Sequence, residues 1–457
     1  MLVAVWIITF CLIIGIGVYA GTKITSSNQW SGGDKTLSAL SLGCVFVAWQ
    51  VGGMAIVGAA QNGYNLGIAG SWYSIAGSFY FIFLALFAKT IRKNMPGQSV
   101  PEYLQAKFDI RTTRLYSYAW IVYGFLYIPI QLKTVSSIIQ IVLPGLNLSI
   151  AMFIGVTIAV IYTSFSGMRG ASAVGRVVCI GIYILLIAFV AINLPKVGGY
   201  NGLIDKLPAE YNDVFNMPLH RIIAWILGGC ISTAVMQSVL QPLLSAKDPE
   251  AATKGSILGY VIAAPICILT ALCGMMSKAS GANLGNGTTA FAYAIKTFSS
   301  PLFAGIVFAF ATMIIAATMA TMMLATGTII TNVYKTEINP NATDKQVLKI
   351  SKLITFVFAF LTLIPANLIP SNSLTNLFLT LQHVAAAPVS FSILAGLMWK
   401  KATKQGAFWS MLCGMIVGIS WMLLGLTDKL EAVYPVVLVT YSVGIIVSLM
   451  TYKKVRV

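Results

Sequence analysis

The chain has 457 residues, 58% hydrophobic and only 9% charged, with a net charge of +17. Soluble domains carry about a quarter charged residues, so this composition excludes a string of soluble domains. Recurring apolar runs of ~20 residues are each long enough to cross a bilayer as a helix. The positive charge is not interleaved with aromatics as a basic patch, which sets nucleic acid aside.

Apolar runs predict an all-α membrane protein of about 13 transmembrane helices. They lie near 2–20, 40–63, 68–88, 115–143, 147–166, 172–194, 221–244, 256–277, 301–333, 350–370, 374–399, 407–426 and 432–452. Each end is good to about 2–4 residues. The first run follows Met1 with no basic segment or small-residue cleavage site, and reads as a span rather than a signal peptide. Counting connections alternately, one side receives Lys23, Lys35, Lys89, Arg92, Lys93, Lys107, Arg111 and Arg114. Lys247, Lys254, Lys335, Lys345, Lys349, Lys352, Lys400, Lys401, Lys404, Lys453, Lys454 and Arg456 follow on that side. The other side receives mainly Lys196, Lys206, Arg221, Lys278, Lys296 and Lys429. The positive-inside rule then predicts a multi-pass protein of the cell (plasma) membrane, N-terminus outside and C-terminus cytoplasmic. The longest polar stretch, 195–220, is expected to be an extracellular loop. Seven cysteines sit inside apolar runs without metal-ligand spacing and read as small buried hydrophobes.

Two spans stand apart. The second, VFVAWQVGGMAIVGAAQNGYNLG, carries Gly52-Gly53 at mid-membrane depth; the seventh, IIAWILGGCISTAVMQSVLQP, carries Gly228-Gly229. Adjacent glycines favour an opened helix, or else close packing of a neighbour. The pairs lie in the first helices of two five-span blocks, 38–194 and 221–399. Five is odd, so the second block enters from the opposite side. Interrupted helices at matching places of inverted halves point to a midplane solute site. Residues 1–37 supply a leading helix and cytoplasmic link, and 400–457 two trailing helices and a short tail.

Five elements occur in order at the right spans: QSVPEYLQAKF from Gln98, YTSFSGMRGASAVGRVV from Tyr162, QPLLSAKDPEAATKGSIL from Gln241, ATGTIITNVYK from Ala325 and GLMWKKATKQGAF from Gly396. Together the chain resembles the sodium:solute symporter family, which includes the sodium–galactose and sodium–proline carriers. The resemblance implies the leucine-transporter fold, a five-plus-five inverted repeat with one leading and two trailing helices. It also implies a sodium site between spans 2 and 9. The family pattern maps its two span-2 carbonyls to Ala48 and Val51, and its span-9 carbonyl and two hydroxyls to Met313, Ala316 and Ala317. Alanine supplies no side-chain oxygen. The family's nearby acid maps to Gly175, followed by Arg176. Sodium-independent transport is therefore expected, with the Arg176 guanidinium replacing the ion on the carbonyls of Ala48 and Val51; snorkelling to the interface is the plainer reading of Arg176. Thr312 and Thr318 restore a ligand if the register slips. A conventional sodium-coupled symporter is the alternative.

The expected substrate pocket comprises Trp49, Gln50, Gly52 and Gly53 of span 2, Tyr73 and Ser74 of span 3, Thr233 and Gln237 of span 7, and Gln382 of span 11. Amides and hydroxyls at that depth require partners, which a polar solute or a neighbouring helix supplies. Lys133, deep in span 4, either draws an anionic solute into a vestibule or pairs with a carbonyl. His383 reads as a packing residue, and is the one candidate for proton coupling. The acidic residues all map to loops or span ends, so no carboxylate relay, nucleophile–base pair or metal site is expected. The reading is a non-enzymatic carrier of a small polar organic solute, alternating access across the bilayer, without a cofactor. A solute sensor of transporter-like fold is the alternative from another class, and oligomeric state is left open.

Overall fold

The computed structural model describes residues 1–21, 35–95, 97, 99–369 and 374–452. Lys23, Gln98, Lys453, Lys454 and Arg456, used above, lie outside these. In chain order the α-helices are α1 (Leu2–Gly21), α2 (Ala39–Gln50), α3 (Ala59–Leu66), α4 (Trp72–Gly77), α5 (Tyr80–Asn94), α6 (Val100–Lys107), α7 (Ile110–Val142) and α8 (Leu148–Asn193). Then come α9 (Gly199–Ile204), α10 (Leu219–Ile231), α11 (Gln237–Leu244), α12 (Pro249–Ala263), α13 (Ile266–Ala279), α14 (Ala290–Phe298) and α15 (Pro301–Val333). The chain closes with α16 (Asp344–Leu361), α17 (Leu363–Leu368), α18 (Leu374–Ala385), α19 (Ser390–Met398), α20 (Lys404–Leu423) and α21 (Val433–Thr451).

Every predicted span falls on helix, straight or interrupted. Among the described residues, 10 helices are long and apolar enough to cross a membrane, or 11 with the bent pair α10–α11. The difference from thirteen arises at broken or short pieces, Ala39–Gln50 and Leu148–Thr163 among them. Spans 5 and 6 join without a non-helical residue, as α8. Its 46 residues would extend about 69 Å at 1.5 Å each, enough for two crossings.

Helix starts are set by side-chain caps, which satisfy amides that would otherwise be orphaned. Asp109 Oδ1 accepts from Thr112 N (2.9 Å) at α7, and Asp248 Oδ1 from Ala251 N (2.6 Å) at α12. Thr343 forms a capping box with Gln346 at α16. Small residues let α2 lie close against α12. A Cβ on Gly43 would be 3.0 Å from Leu258 Cβ, and one on Gly259 3.3 Å from Phe46 Cβ. Such small-residue contacts replace the hydrophobic drive that lipid does not supply.

Several contacts gather the basic segments on one face. Arg92 Nη1 donates to the Leu244 carbonyl (2.5 Å), and Arg114 pairs with Glu337 (2.8 Å). The segment before α2 pairs with the segment after α11 by backbone: Leu37 N to Ser245 O (3.0 Å) and Lys247 N to Leu37 O (2.9 Å). The leading end of the first interrupted membrane element is thereby tied to the trailing end of the second.

Candidate functional site

The site is built on two helix breaks. α2 stops at Gln50, where Val51 takes φ −88°, ψ 54°, and regular winding resumes only at the π turn Met54–Gly58. The Gly53 N–H leaves the helix ladder and donates to Gln131 Oε1 of α7 at 2.9 Å. Gly52-Gly53 therefore marks a real interruption. The second break does not fall at the expected glycines. Gly228 and Gly229 are helical, and the 58° bend comes later, through Thr233–Val235 and an extended Met236 (φ −69°, ψ 141°). The glycines serve close packing instead: a Cβ on Gly228 would be 2.3 Å from His383 Nε2, and one on Gly229 3.0 Å from the Gly77 carbonyl.

Between the breaks lies a cavity of ≈ 30 Å³, room for about two waters. Of the residues named from the sequence, Trp49, Gln50, Gly52, Tyr73, Thr233 and Gln382 line it. Gln382 Nε2 donates to Thr233 Oγ1 across it. Trp49 stacks on Tyr127, with ring centroids 5.6 Å apart and planes 20° apart. Tyr73 meets Trp225 and Phe378 edge-on, at 6.1 and 6.3 Å. Among the described residues, no charged side chain lines the cavity.

Three predicted pocket residues point elsewhere. Ser74 Oγ donates to the Ala263 carbonyl (2.5 Å), because one residue past Tyr73 is ~100° further round the helix. Gln237 lies beyond the second break, and its Oε1 accepts from Val100 N (2.7 Å). Gly53 stands behind the cavity, against Gln131 and Thr134. Lys133 is buried on α7 and is not among the residues that line the cavity. His383 is fully buried against Gly228. The residues missed are chiefly Gln131, Tyr127 and Trp225. Gln131 had a legible signal, an amide at bilayer depth four residues after a tyrosine; its Nε2 donates to Tyr127 Oη (3.1 Å).

At the expected cation site, Ala316 and Ala317 are buried beside Met313 and supply no side-chain oxygen. Thr318 supplies one. Its Oγ1 lies 2.8 Å from the Ala48 carbonyl, 3.4 Å from that of Trp49 and 3.1 Å from that of Ile314. It packs on Gly52, where a Cβ would be 2.6 Å from it. Thr312 turns away and accepts from Trp6 Nε1 (3.3 Å). Arg176 does not bridge Ala48 and Val51. Its side chain is exposed, and Nη1 donates to Ser41 Oγ (2.6 Å), two turns along α2 from Ala48. A long cationic side chain keeps its head out of the apolar interior in this way.

A cavity lined by aromatic rings, amides and a hydroxyl, where two interrupted membrane helices meet, has the form of a solute site in a membrane carrier. The chain belongs to the sodium:solute symporter family, whose model matches residues 31–414. It is 23% identical to the sodium/glucose cotransporter of Vibrio parahaemolyticus, over 92% of this chain and 84% of that one. It is 21% identical to the human sodium/myo-inositol cotransporter 2, over 91% and 69%. Its fold matches a Na+-coupled sialic acid symporter, solved substrate-bound and outward-open, with TM-score 0.82 over 100% of this chain and 99% of that one at 15% identity. A nucleobase-cation-symport-1 family transporter matches at TM-score 0.60 and 14% identity, over 91% and 92%. The fold is of the leucine-transporter type, in a multi-pass membrane protein.

Gln50 is the cleanest test of the pocket, because it is half-buried at the cavity and its loss leaves the core intact. Gln50→Ala is expected to raise the half-saturating solute concentration about 10-fold, the worth of one hydrogen bond of ~1.4 kcal/mol, with an unchanged melting temperature. Uptake kinetics in proteoliposomes check this. Trp49→Ala is a poorer probe, because that ring is 5% exposed and its loss also costs stability.

Proposed function

We propose that this protein carries a small, uncharged, polyhydroxylated solute by alternating access, in symport with sodium. The observation that carries the solute class is the cavity lining: amides and hydroxyls beside aromatic faces, and no charge. Buried polar groups of this kind recognise hydroxyls through hydrogen bonds, while rings cover the apolar faces of a sugar-like molecule. Sodium is a cargo ion that requires oxygen ligands. The carbonyls of Ala48, Trp49 and Ile314 surround the Thr318 hydroxyl. That hydroxyl can turn its proton to Ile314 and offer a lone pair beside Ala48. The two repeats, 38–194 and 221–399, move against each other about this centre, and the basic face is cytoplasmic under the positive-inside rule.

The test is uptake of labelled glucose, myo-inositol and sialic acid into proteoliposomes in sodium, then with choline replacing it. Uptake of a neutral member that requires sodium is expected. Thr318→Val keeps the shape, removes the oxygen, and is expected to raise the half-saturating sodium concentration by about 10-fold or more. Uptake undiminished in choline would instead select a uniporter or exchanger, the reading favoured by Ala316 and Ala317. Uptake of sialic acid alone would overturn the neutral-solute assignment.

A further inference from the structure

Ahead of the first break, α2 lies against the second half of α8. At the edge of this seam Ser41 Oγ accepts from Arg176 Nη1 (2.6 Å), and the Arg176 side chain is exposed. Beside it, a Cβ on Gly175 would be 3.5 Å from the Cys44 carbonyl oxygen and 3.6 Å from Ala48 Cβ, so the two backbones run close. Residues three and four apart share a helix face. Cys44 follows Ser41 at that spacing, and Cys179 follows both Gly175 and Arg176. Both thiols point into the seam, within hydrogen-bond reach of one another. Each is free and 1% exposed. A buried thiol serves packing as a small apolar group, and Cys267 does so with its sulfur 3.6 Å from the Ala55 carbonyl. Cys44 and Cys179 are instead set sulfur to sulfur.

We propose that Cys44 and Cys179 form a modification site, a dithiol that hydrogen peroxide closes to a disulfide, pinning α2 on α8 and arresting transport. One sulfur, as thiolate, attacks the peroxide and breaks its O–O bond. It keeps one oxygen as a sulfenic acid, and the other leaves as water with the proton the thiol gave up. The second thiol then displaces a second water from the sulfenic sulfur, and the S–S bond forms. Two thiols lose two electrons, and one hydrogen peroxide becomes two waters. This oxidant is small and uncharged, which suits a site one turn inside an exposed edge. A disulfide spans Cα atoms up to about 7 Å apart, a separation that helices in contact at a glycine allow. The bond would lie one turn from the Ala48 carbonyl and within two of Trp49 and Gln50 at the cavity. It therefore fixes the half-helix that shapes both. The arrest rests on the proposed alternating access; the disulfide does not.

The test treats the native full chain and Cys44→Ser with hydrogen peroxide in proteoliposomes. Each is then unfolded, alkylated with N-ethylmaleimide, digested and read by mass spectrometry. The native chain is expected to lose two of its seven alkylated cysteines, to yield a peptide cross-linked between Cys44 and Cys179, and to regain both thiols in dithiothreitol. Cys44→Ser is expected to yield no such peptide, and Cys179→Ala replaces it as control if it fails to insert. Peroxide is expected to lower native uptake at least about 10-fold, reversibly in dithiothreitol, and to leave Cys44→Ser at its starting rate. Absence of the cross-linked peptide from the native chain overturns the proposal, whatever the solute. The cross-link with undiminished uptake overturns the arrest. Failure of the untreated chain to carry any solute counts against the proposed function, and the peptide readout still decides the dithiol.

Discussion

Gly53→Ala is expected to reduce transport by at least ~100-fold while leaving the protein inserted. A Cβ at this position would lie 1.9 Å from Thr134 Oγ1, 2.6 Å from Thr134 Cβ and 2.7 Å from Gln131 Oε1. The Thr134 side chain is branched at Cβ and anchored by Oγ1 donation to the Gln131 carbonyl (2.7 Å), so it cannot swing clear. The unwound segment must back away from α7, which breaks the bond from Gly53 N. Overpacking of this kind costs ~1–3 kcal/mol, and it falls on the segment that shapes both the solute cavity and the Ala48 carbonyl. Initial uptake rates, normalised to inserted protein, read the effect. Thr134→Ala in the same chain makes room and is expected to restore part of the activity. Normal flux in Gly53→Ala alone would show that the interruption in span 2 plays no part in transport.

Gln131→Leu is expected to reduce uptake about 10- to 100-fold. The leucine fills the space but removes the oxygen that accepts from Gly53 N–H. An unpaired buried amide costs ~1–3 kcal/mol, and water is not at hand in the bilayer to replace the partner. The same substitution frees Tyr127, whose hydroxyl accepts from the Gln131 amide and whose ring stacks on Trp49. Tyr127→Phe keeps the stacking and loses one bond, so a smaller loss is expected. Uptake kinetics of both variants check this; equal and full activity would separate Gln131 from the site.

The helices and the first break were legible because they depend on local properties, apolar run length and the backbone freedom of Gly52-Gly53. The second break was not. Paired glycines serve equally to admit a neighbour, and only the tertiary structure shows the His383 imidazole filling the space at Gly228. Helical phase explains most of the other differences. Register at the cation site was carried from the NVYK motif, more than a dozen residues further along α15. A one-residue slip turns a side chain ~100°, which exchanges Ala317 for Thr318. Gln131 and Lys133 are two residues apart and so point ~200° apart; of the two, Gln131 faces the cavity. For Arg176 the sequence leaves open both replacement of the ion and snorkelling, because it does not show where a long side chain ends; the structure places the side chain exposed, on Ser41.

The backbone pairing of Leu37 with Ser245 and Lys247 also bears on how the protein is made. The two strands of that pairing are separated by some 200 residues, which a ribosome adding ~5–20 residues each second takes ~10–40 s to deliver. The interrupted second helix reaches the membrane long before the segment that anchors its leading end exists. Its open backbone at Gly53 likewise waits for α7, and its Ala48 carbonyl for Thr318. Insertion must therefore leave span 2 unfinished, shielded by the insertion machinery or by spans made in the interval, until the second half of the chain arrives to complete it.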